Sequence, residues 1–184
     1  MKIHLSFLAK LHKAPARAWR SLFIAWLTFV GLALNGATMA QAPQAETVTW
    51  SVAPASDNAL RADSRLALTV HGAVREGWHV YSLKQAADGP TPLLVSLGTN
   101  SVARADGRVT ESQPNKVQDA AFGFVTQFFD KDFTLTAPVR LKPGLKPGAQ
   151  TIPVNVRFQT CNGATCQPPK TVHLSAAITI QAVR

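Results

Sequence analysis

The chain has 184 residues, 46% of them hydrophobic, and a formal net charge of +9. Five of its nineteen basic residues precede Gln41, which leaves 14 basic and 10 acidic side chains, a net of +4, for the rest. These are dispersed, with no Lys/Arg block and no interleaving of basic and aromatic residues, so nucleic-acid binding has no support.

Residues 1–40 read as a signal peptide. Lys2, Lys10, Lys13, Arg17 and Arg20 make a basic start without an acidic residue, and Leu22 to Leu34 is an apolar run broken only by Thr28 and Gly31. Ala37-Thr38-Met39-Ala40 then offers small side chains for cleavage. The run is shorter than the ~20 apolar residues of a membrane span and fits the h-region of a secretory signal. An uncleaved N-terminal anchor is the alternative. The expected product is an exported protein, soluble after cleavage, with residues 41–47 as a short linker and 48–184 as one domain. A domain of that size can bury a core without a cross-link.

From there the apolar residues alternate with a period of two. Short strand candidates are Val48 to Val52, Trp78 to Leu83 and Leu93 to Leu97. Longer ones follow Leu66, Leu68 and Val70; Phe133, Leu135, Ala137, Val139 and Leu141; Ile152, Val154, Val156 and Phe158; and Val172, Leu174, Ala176, Ile178 and Ile180. Each alternates with polar or small residues, as a strand with one buried face does. Turn clusters separate them: Asp88-Gly89-Pro90-Thr91-Pro92, Asp106-Gly107, and the doubled Leu-Lys-Pro-Gly of Leu141–Gly148. Many short strands with turns between them predict an all-β, immunoglobulin-like β-sandwich.

Trp50 and Trp78 suit the core or a sheet face. Tyr81 is at odd separation from Trp78, so the two are expected on opposite faces of their strand. The five phenylalanines from Phe122 to Phe133 can all be core. Phe122-Gly123-Phe124, however, breaks the alternation beside a glycine, which suits a loop carrying exposed rings.

The two cysteines, Cys161 and Cys166, are the only ones in the chain. Behind an export signal they are expected to form a disulfide. Asn162-Gly163 between them tolerates positive φ and reverses a chain, which sets the cysteines opposite each other at the mouth of a hairpin. Pro168-Pro169 cannot donate ladder hydrogen bonds, so pairing is interrupted just beyond Cys166. A cysteine beside such a break is reachable by another protein's thiolate, the first requirement of exchange. Closing so short a loop removes only about 2 kcal/mol of unfolded-chain entropy. Two functions remain open on these grounds: a redox-active pair, or a staple in a non-catalytic immunoglobulin-like binding or assembly module.

Other chemistries are weaker. A thioredoxin site needs Cys-x-x-Cys at a helix start, and c-type haem attachment needs Cys-x-x-Cys-His. Metal binding would have to draw on His71, His79 and His173 without a ligand spacing that supports it, so neither a metal nor a cofactor is expected. No Ser-His-Asp set, phosphate loop or carboxylate pair is recognisable. Lys170 either favours a Cys166 thiolate or is a solvated strand residue.

Three segments, in order along nearly the whole region after the leader, carry a family resemblance. They are Gly77-Trp78-His79-Val80-Tyr81-Ser82 with Asp88-Gly89-Pro90-Thr91-Pro92; Ala121-Phe122-Gly123-Phe124 with Phe128, Phe129 and Phe133-Thr134-Leu135; and Phe158-Gln159-Thr160-Cys161, four residues, then Cys166-Gln167-Pro168-Pro169-Lys170. In these the chain resembles the N-terminal periplasmic domain of the thiol:disulfide interchange protein DsbD, the "disulfide bond corrector" type, as a stand-alone exported protein. The resemblance implies an immunoglobulin-like sandwich with its redox cysteines on a hairpin at one end. It implies a periplasmic protein-disulfide reductase that takes electrons from a thioredoxin-like donor, here a separate protein, and gives them to oxidised periplasmic thiol proteins. Cys166 would form the mixed disulfide and Cys161 would resolve it. Phe122 and Phe124 would be cap residues and Tyr81 a wall of the site. Family members carry an acidic pair before the cap; this chain has Asp119 alone, followed by Ala120 and Ala121.

Overall fold

The alternating runs become strands because each has one apolar face to bury. The computed structural model describes residues 46–56, 58–120 and 122–182; the segment read as a signal peptide lies outside them. Within them the strands in chain order are β1 (Val48–Pro54), β2 (Arg65–Val74), β3 (His79–Tyr81), β4 (Leu94–Leu97), β5 (Ala103–Ala105) and β6 (Thr110–Glu111). They continue with β7 (Asn115–Asp119), β8 (Phe124–Phe129), β9 (Phe133–Leu141), β10 (Gly148–Phe158), β11 (Thr160–Cys161) and β12 (Lys170–Ile180). The described residues contain no helix, hence none long and apolar enough to cross a membrane.

One sheet has the order β1-β2-β9-β5, with β6 also pairing β9; a second has the order β12-β10-β4. Phe133, Leu135, Ala137, Val139 and Leu141 of β9 face Ile152, Val154, Val156 and Phe158 of β10 in one buried cluster, joined by Leu68, Val70, Ala176, Ile178 and Ile180. The expected sandwich is therefore present, and the alternating runs supply its two inner faces. A third sheet, β11-β3-β8-β7, adjoins them. Val80 of β3 and Phe129 of β8 belong to the same core cluster and anchor this sheet to it.

Strands β5 to β8 were not among the expected elements. Four of the five residues of β7 are exposed, so its sequence has no alternation to recognise; pairing with β8, from Asn115 opposite Phe128 to Asp119 opposite Phe124, holds it. Phe124, expected in a loop, is the first residue of β8.

The third sheet connects to the core through stacked rings. Phe133 stacks on Phe129 at 4.1 Å between centroids and meets Trp50 edge-on at 5.5 Å. Gly72 on β2 lies beneath this group. A Cβ there would stand 2.6 Å from Phe133 Cε1 and 3.1 Å from Trp50 Cζ3. Phe133, buried and stacked, has nowhere to retreat. Gly72→Ala is expected to destabilise the fold by about 1–3 kcal/mol through overpacking, read as a lower urea midpoint. An unchanged midpoint would mean that the ring stack yields.

Candidate functional site

The site is built where β10 gives way to β11. The β10–β12 ladder runs from Gly148 opposite Ile180 to Phe158 opposite Lys170. Beyond it Cys161 is bridged to Cys166, and the Gln167 amide donates to the Thr160 carbonyl at 2.9 Å. Between these pairs Gln159 alone faces Pro168 and Pro169, a one-residue register slip of the bulge type. After it the chain leaves the β10 sheet and pairs with β3, Thr160 opposite Val80 and Cys161 opposite His79. Gln159 holds the changeover: its carbonyl accepts from the Tyr81 amide at 3.4 Å and its Oε1 from the Thr91 amide at 2.8 Å. Thr160 Oγ1 lies 3.3 Å from Thr47 Oγ1 on the buried side.

The hairpin tip closes through Asn162. Its amide donates to the Thr165 carbonyl at 3.1 Å, and its Oδ1 accepts from the amides of Ala164 and Thr165 at 3.2 and 2.8 Å. Gly163, at φ +82°, takes the left-handed position, so the reversal is centred on Gly163-Ala164, with Asn162 as its side-chain brace. The cysteines form a disulfide with Cα atoms 4.1 Å apart. They are unequal: Cys161 is 2% exposed, whereas Cys166 is an exposed residue.

A cleft of about 220 Å³ opens over the disulfide, lined by His79 and Tyr81 of β3, Val117 to Ala120 at the end of β7, Phe128 of β8, and the cysteine hairpin. Tyr81 Oη donates to Asp119 Oδ2 at 3.0 Å, and Thr126 Oγ1 donates to the same oxygen at 3.1 Å. Burial, followed by this bond to Asp119, holds the Tyr81 phenol far above its ordinary pKa. It stays a neutral donor. His79 packs edge-on to Tyr81 at 5.1 Å and against Phe128 at 4.6 Å. Burial lowers its pKa below the usual 6.5, although Asp119 and Asp130 pull the other way. Its Nε2 is buried without a hydrogen-bond partner among the described residues.

The fold thus brings Cys161, Cys166, Tyr81 and Asp119 to one cleft. Phe122 and Phe124 are not among its lining residues. Phe122 meets Tyr81 edge-on at 5.8 Å and is tilted against Phe124 at 6.1 Å, so Phe122 braces Tyr81. The turn that carries them is tied by the Gly123 amide to the Asp119 carbonyl at 2.8 Å. Lys170 is engaged elsewhere: its Nζ lies 5.4 Å from the centroid of the Phe158 ring and 3.9 Å from Glu46 Oε2. Trp50 packs on Phe133 and Phe158, as expected of a core aromatic. His79 and Phe128 are the ring-bearing lining residues that the sequence did not assign to the site. His79 was available from period two, since it shares a strand face with Tyr81. Phe128 needs the pairing of β8 with β3. Among the described residues no three of His, Cys, Asp and Glu converge to hold a metal.

Residues 44–177 match the family described as "Thiol:disulfide interchange protein DsbD, N-terminal". No curated protein matches the chain. Of solved structures, the chain is similar to the N-terminal periplasmic domain of ScsB from Proteus mirabilis at 18% identity, covering 70% of this chain and 44% of that one, with a TM-score of 0.45. It is also similar to a family 123 glycoside hydrolase from Clostridium perfringens, at 8% identity over 74% of this chain and 28% of that one, TM-score 0.33. A structure of aggregative adherence fimbriae of enteroaggregative Escherichia coli is similar at 16% identity over 73% of this chain and 100% of that one, TM-score 0.30. The chain thus spans less than half of the ScsB chain. None of these three likenesses is close enough to carry an argument about function.

The buried imidazole has a consequence for stability. Because the folded-state pKa of His79 is lowered from 6.5, the unfolded chain takes up a proton first as pH falls. The stability this group contributes is present above its unfolded pKa and is lost as pH drops below it. The oxidised protein is expected to unfold at lower urea at about pH 5 than at about pH 7.5, in the range where histidine titrates. His79→Phe, which keeps the ring packing, should shrink that difference. Glu111 acts with the opposite sign, since burial raises its pKa from 4.5 and its contribution is lost as pH rises through the folded value. The difference between wild type and variant is therefore the quantity to measure, and an unchanged difference would contradict the assignment.

Proposed function

Because this chain belongs to the family of the N-terminal domain of the thiol:disulfide interchange protein DsbD, we propose that it carries electrons in the periplasm. In this reading a thioredoxin-like donor, on a separate protein, reduces the Cys161–Cys166 disulfide. The reduced domain then passes the electrons to oxidised periplasmic thiol proteins as a protein-disulfide reductase. Cys166 is the sulfur that enters the mixed disulfide with each partner, and Cys161 resolves it.

The observation that carries the assignment of roles is the difference in burial. Cys161 is 2% exposed on a strand paired with β3, while Cys166 is exposed on the return arm beside two prolines. Exchange requires an attacking thiolate to approach a sulfur in line with the disulfide bond, so access selects Cys166. The leaving sulfur, Cys161, stays inside the protein and close enough to return. The cleft gives the partner's chain a place to lie, with Tyr81 and Asp119 as one wall. Phe122 and Phe124 act as the cap by bracing Tyr81 and the Asp119–Ala120 rim, so that a partner displacing their turn widens the cleft.

Cys161→Ser is expected to accumulate mixed disulfides through Cys166 that disappear on reduction, whereas Cys166→Ser accumulates none; non-reducing electrophoresis after acid quench reads both. The domain's reduction potential should lie above about −300 mV, the level below which structural disulfides are found. A lower potential, together with a double Cys→Ser variant that still performs its cellular role, would establish the staple in a binding module instead.

A further inference from the structure

The exchange cycle leaves one proton unaccounted for. Cys161 must lose its proton to attack, yet it is buried, and burial raises a thiol's pKa above the usual ~8.5. We propose that His79 is the proton acceptor for Cys161 in the resolving step, an inference that rests on the exchange reading above.

Three observations point to it. His79 stands directly opposite Cys161 in the antiparallel pairing of β3 with β11. Such partners project on the same sheet face with Cβ atoms ~4.5–5.5 Å apart, and both line the one cleft. His79 Nε2 is buried with no hydrogen-bond partner among the described residues, where buried polar atoms are nearly always satisfied. The disulfide sulfur opposite it has no proton to offer. Once the pair is reduced, the Cys161 thiol supplies the missing donor.

The electrostatics fit a base. Desolvation keeps the free imidazole neutral at pH 7 and so able to accept. The titratable groups around it are Tyr81 on its own strand, Asp119 at the end of β7, Asp130 just after β8, and the two cysteines. Both carboxylates favour the imidazolium once it forms. The nearby polar groups have other tasks: Tyr81 donates to Asp119, and Lys170 lies over Phe158 near Glu46.

The step balances. With the partner bound to Cys166 as a mixed disulfide, Cys161 Sγ attacks Cys166 Sγ while its proton moves to His79 Nε2. The Cys161–Cys166 bond forms, the bond from Cys166 to the partner's sulfur breaks, and that sulfur leaves with the electron pair as a thiolate. The domain's two thiols are oxidised, the partner's disulfide is reduced, and His79 passes its proton to solvent or to the departing thiolate. In the reverse direction the donor's thiolate attacks Cys166 Sγ, and the imidazolium returns a proton to Cys161.

The test uses the reduced protein and dithionitrobenzoate, an aromatic disulfide whose leaving thiolate is coloured. Attack by Cys166 releases one thiolate in a phase that depends on reagent concentration. Resolution by Cys161 releases the second in a phase that does not, and Cys161→Ser removes that phase. His79→Gln and His79→Phe should slow the second phase by about 100-fold at pH 7, at the low end of general-base contributions, and slow the first far less. The wild-type second phase should stay fast from about pH 8 down to the imidazole's pKa and fall only below 6.5. An unassisted thiol would instead lose about tenfold per pH unit below ~8.5. That wild-type profile decides the matter even if both variants fail to fold. A second phase insensitive to His79, or a profile that follows the thiol alone, overturns the role of His79. Absence of the two phases in wild type overturns the exchange reading itself.

Discussion

Two adjacent prolines that cannot donate a hydrogen bond determine the geometry of this molecule's reactive end. The β10–β12 ladder is continuous up to Phe158 and Lys170. Past it Pro168 and Pro169 offer no N–H, so the arm from Cys166 to Lys170 cannot extend the ladder in register. The slip leaves Gln159 facing two residues, and the other arm finds its next hydrogen bonds on β3. That change of sheet takes Cys161 out of the sandwich proper and sets it beside His79.

The same slip separates the environments of the two sulfurs. Cys161 is fixed on both sides, by its strand pairing with β3 and by the bond between Thr160 and Thr47 below it. Cys166 belongs to an arm whose ladder bonds, among the described residues, are those around the tip, and it remains exposed. The wall of the cleft over the pair includes the rings of His79, Phe128 and Tyr81, the last with its phenol committed to Asp119. Burial lowers the pKa of His79 and disfavours a charged thiolate at Cys161, while exposure imposes no such cost on Cys166.

Much of this was legible in the sequence, and the part that was not has a definite cause. The runs through Leu66–Val70, Phe133–Leu141, Ile152–Phe158 and Val172–Ile180 each bury one side against a common core, so period two identified them and the sandwich with them. β7 has no buried side; it exists because β8 gives it partners, and pairing is not written in local periodicity. The cysteines stand out as the only two in the chain, Tyr81 and Asp119 came through family resemblance, and the fold gathers all four. Phe122 and Phe124 came from the same resemblance and are not among the cleft's lining residues; Phe124 begins β8 and Phe122 packs on Tyr81. His79 shares a face with Tyr81 and was accessible by counting. Its opposition to Cys161 is set by register between strands distant in sequence, which only the assembled fold fixes.

The position of the disulfide also bears on what the fold would have to tolerate during the proposed redox cycle. A cross-link over so few residues contributes only about 2 kcal/mol through loop closure. The buried cluster from β2, β9, β10 and β12 contains neither cysteine. Opening the bond therefore leaves the sandwich with its core intact, and the tip retains the Asn162 bonds that close it without help from sulfur. A disulfide that held distant segments together could not be reduced in every turnover without risking the domain. This one spans a turn that backbone and side-chain hydrogen bonds already define, so its breaking and remaking can proceed on a preformed surface. The modest stabilisation that makes it a poor staple is the property that the proposed redox carrier would require.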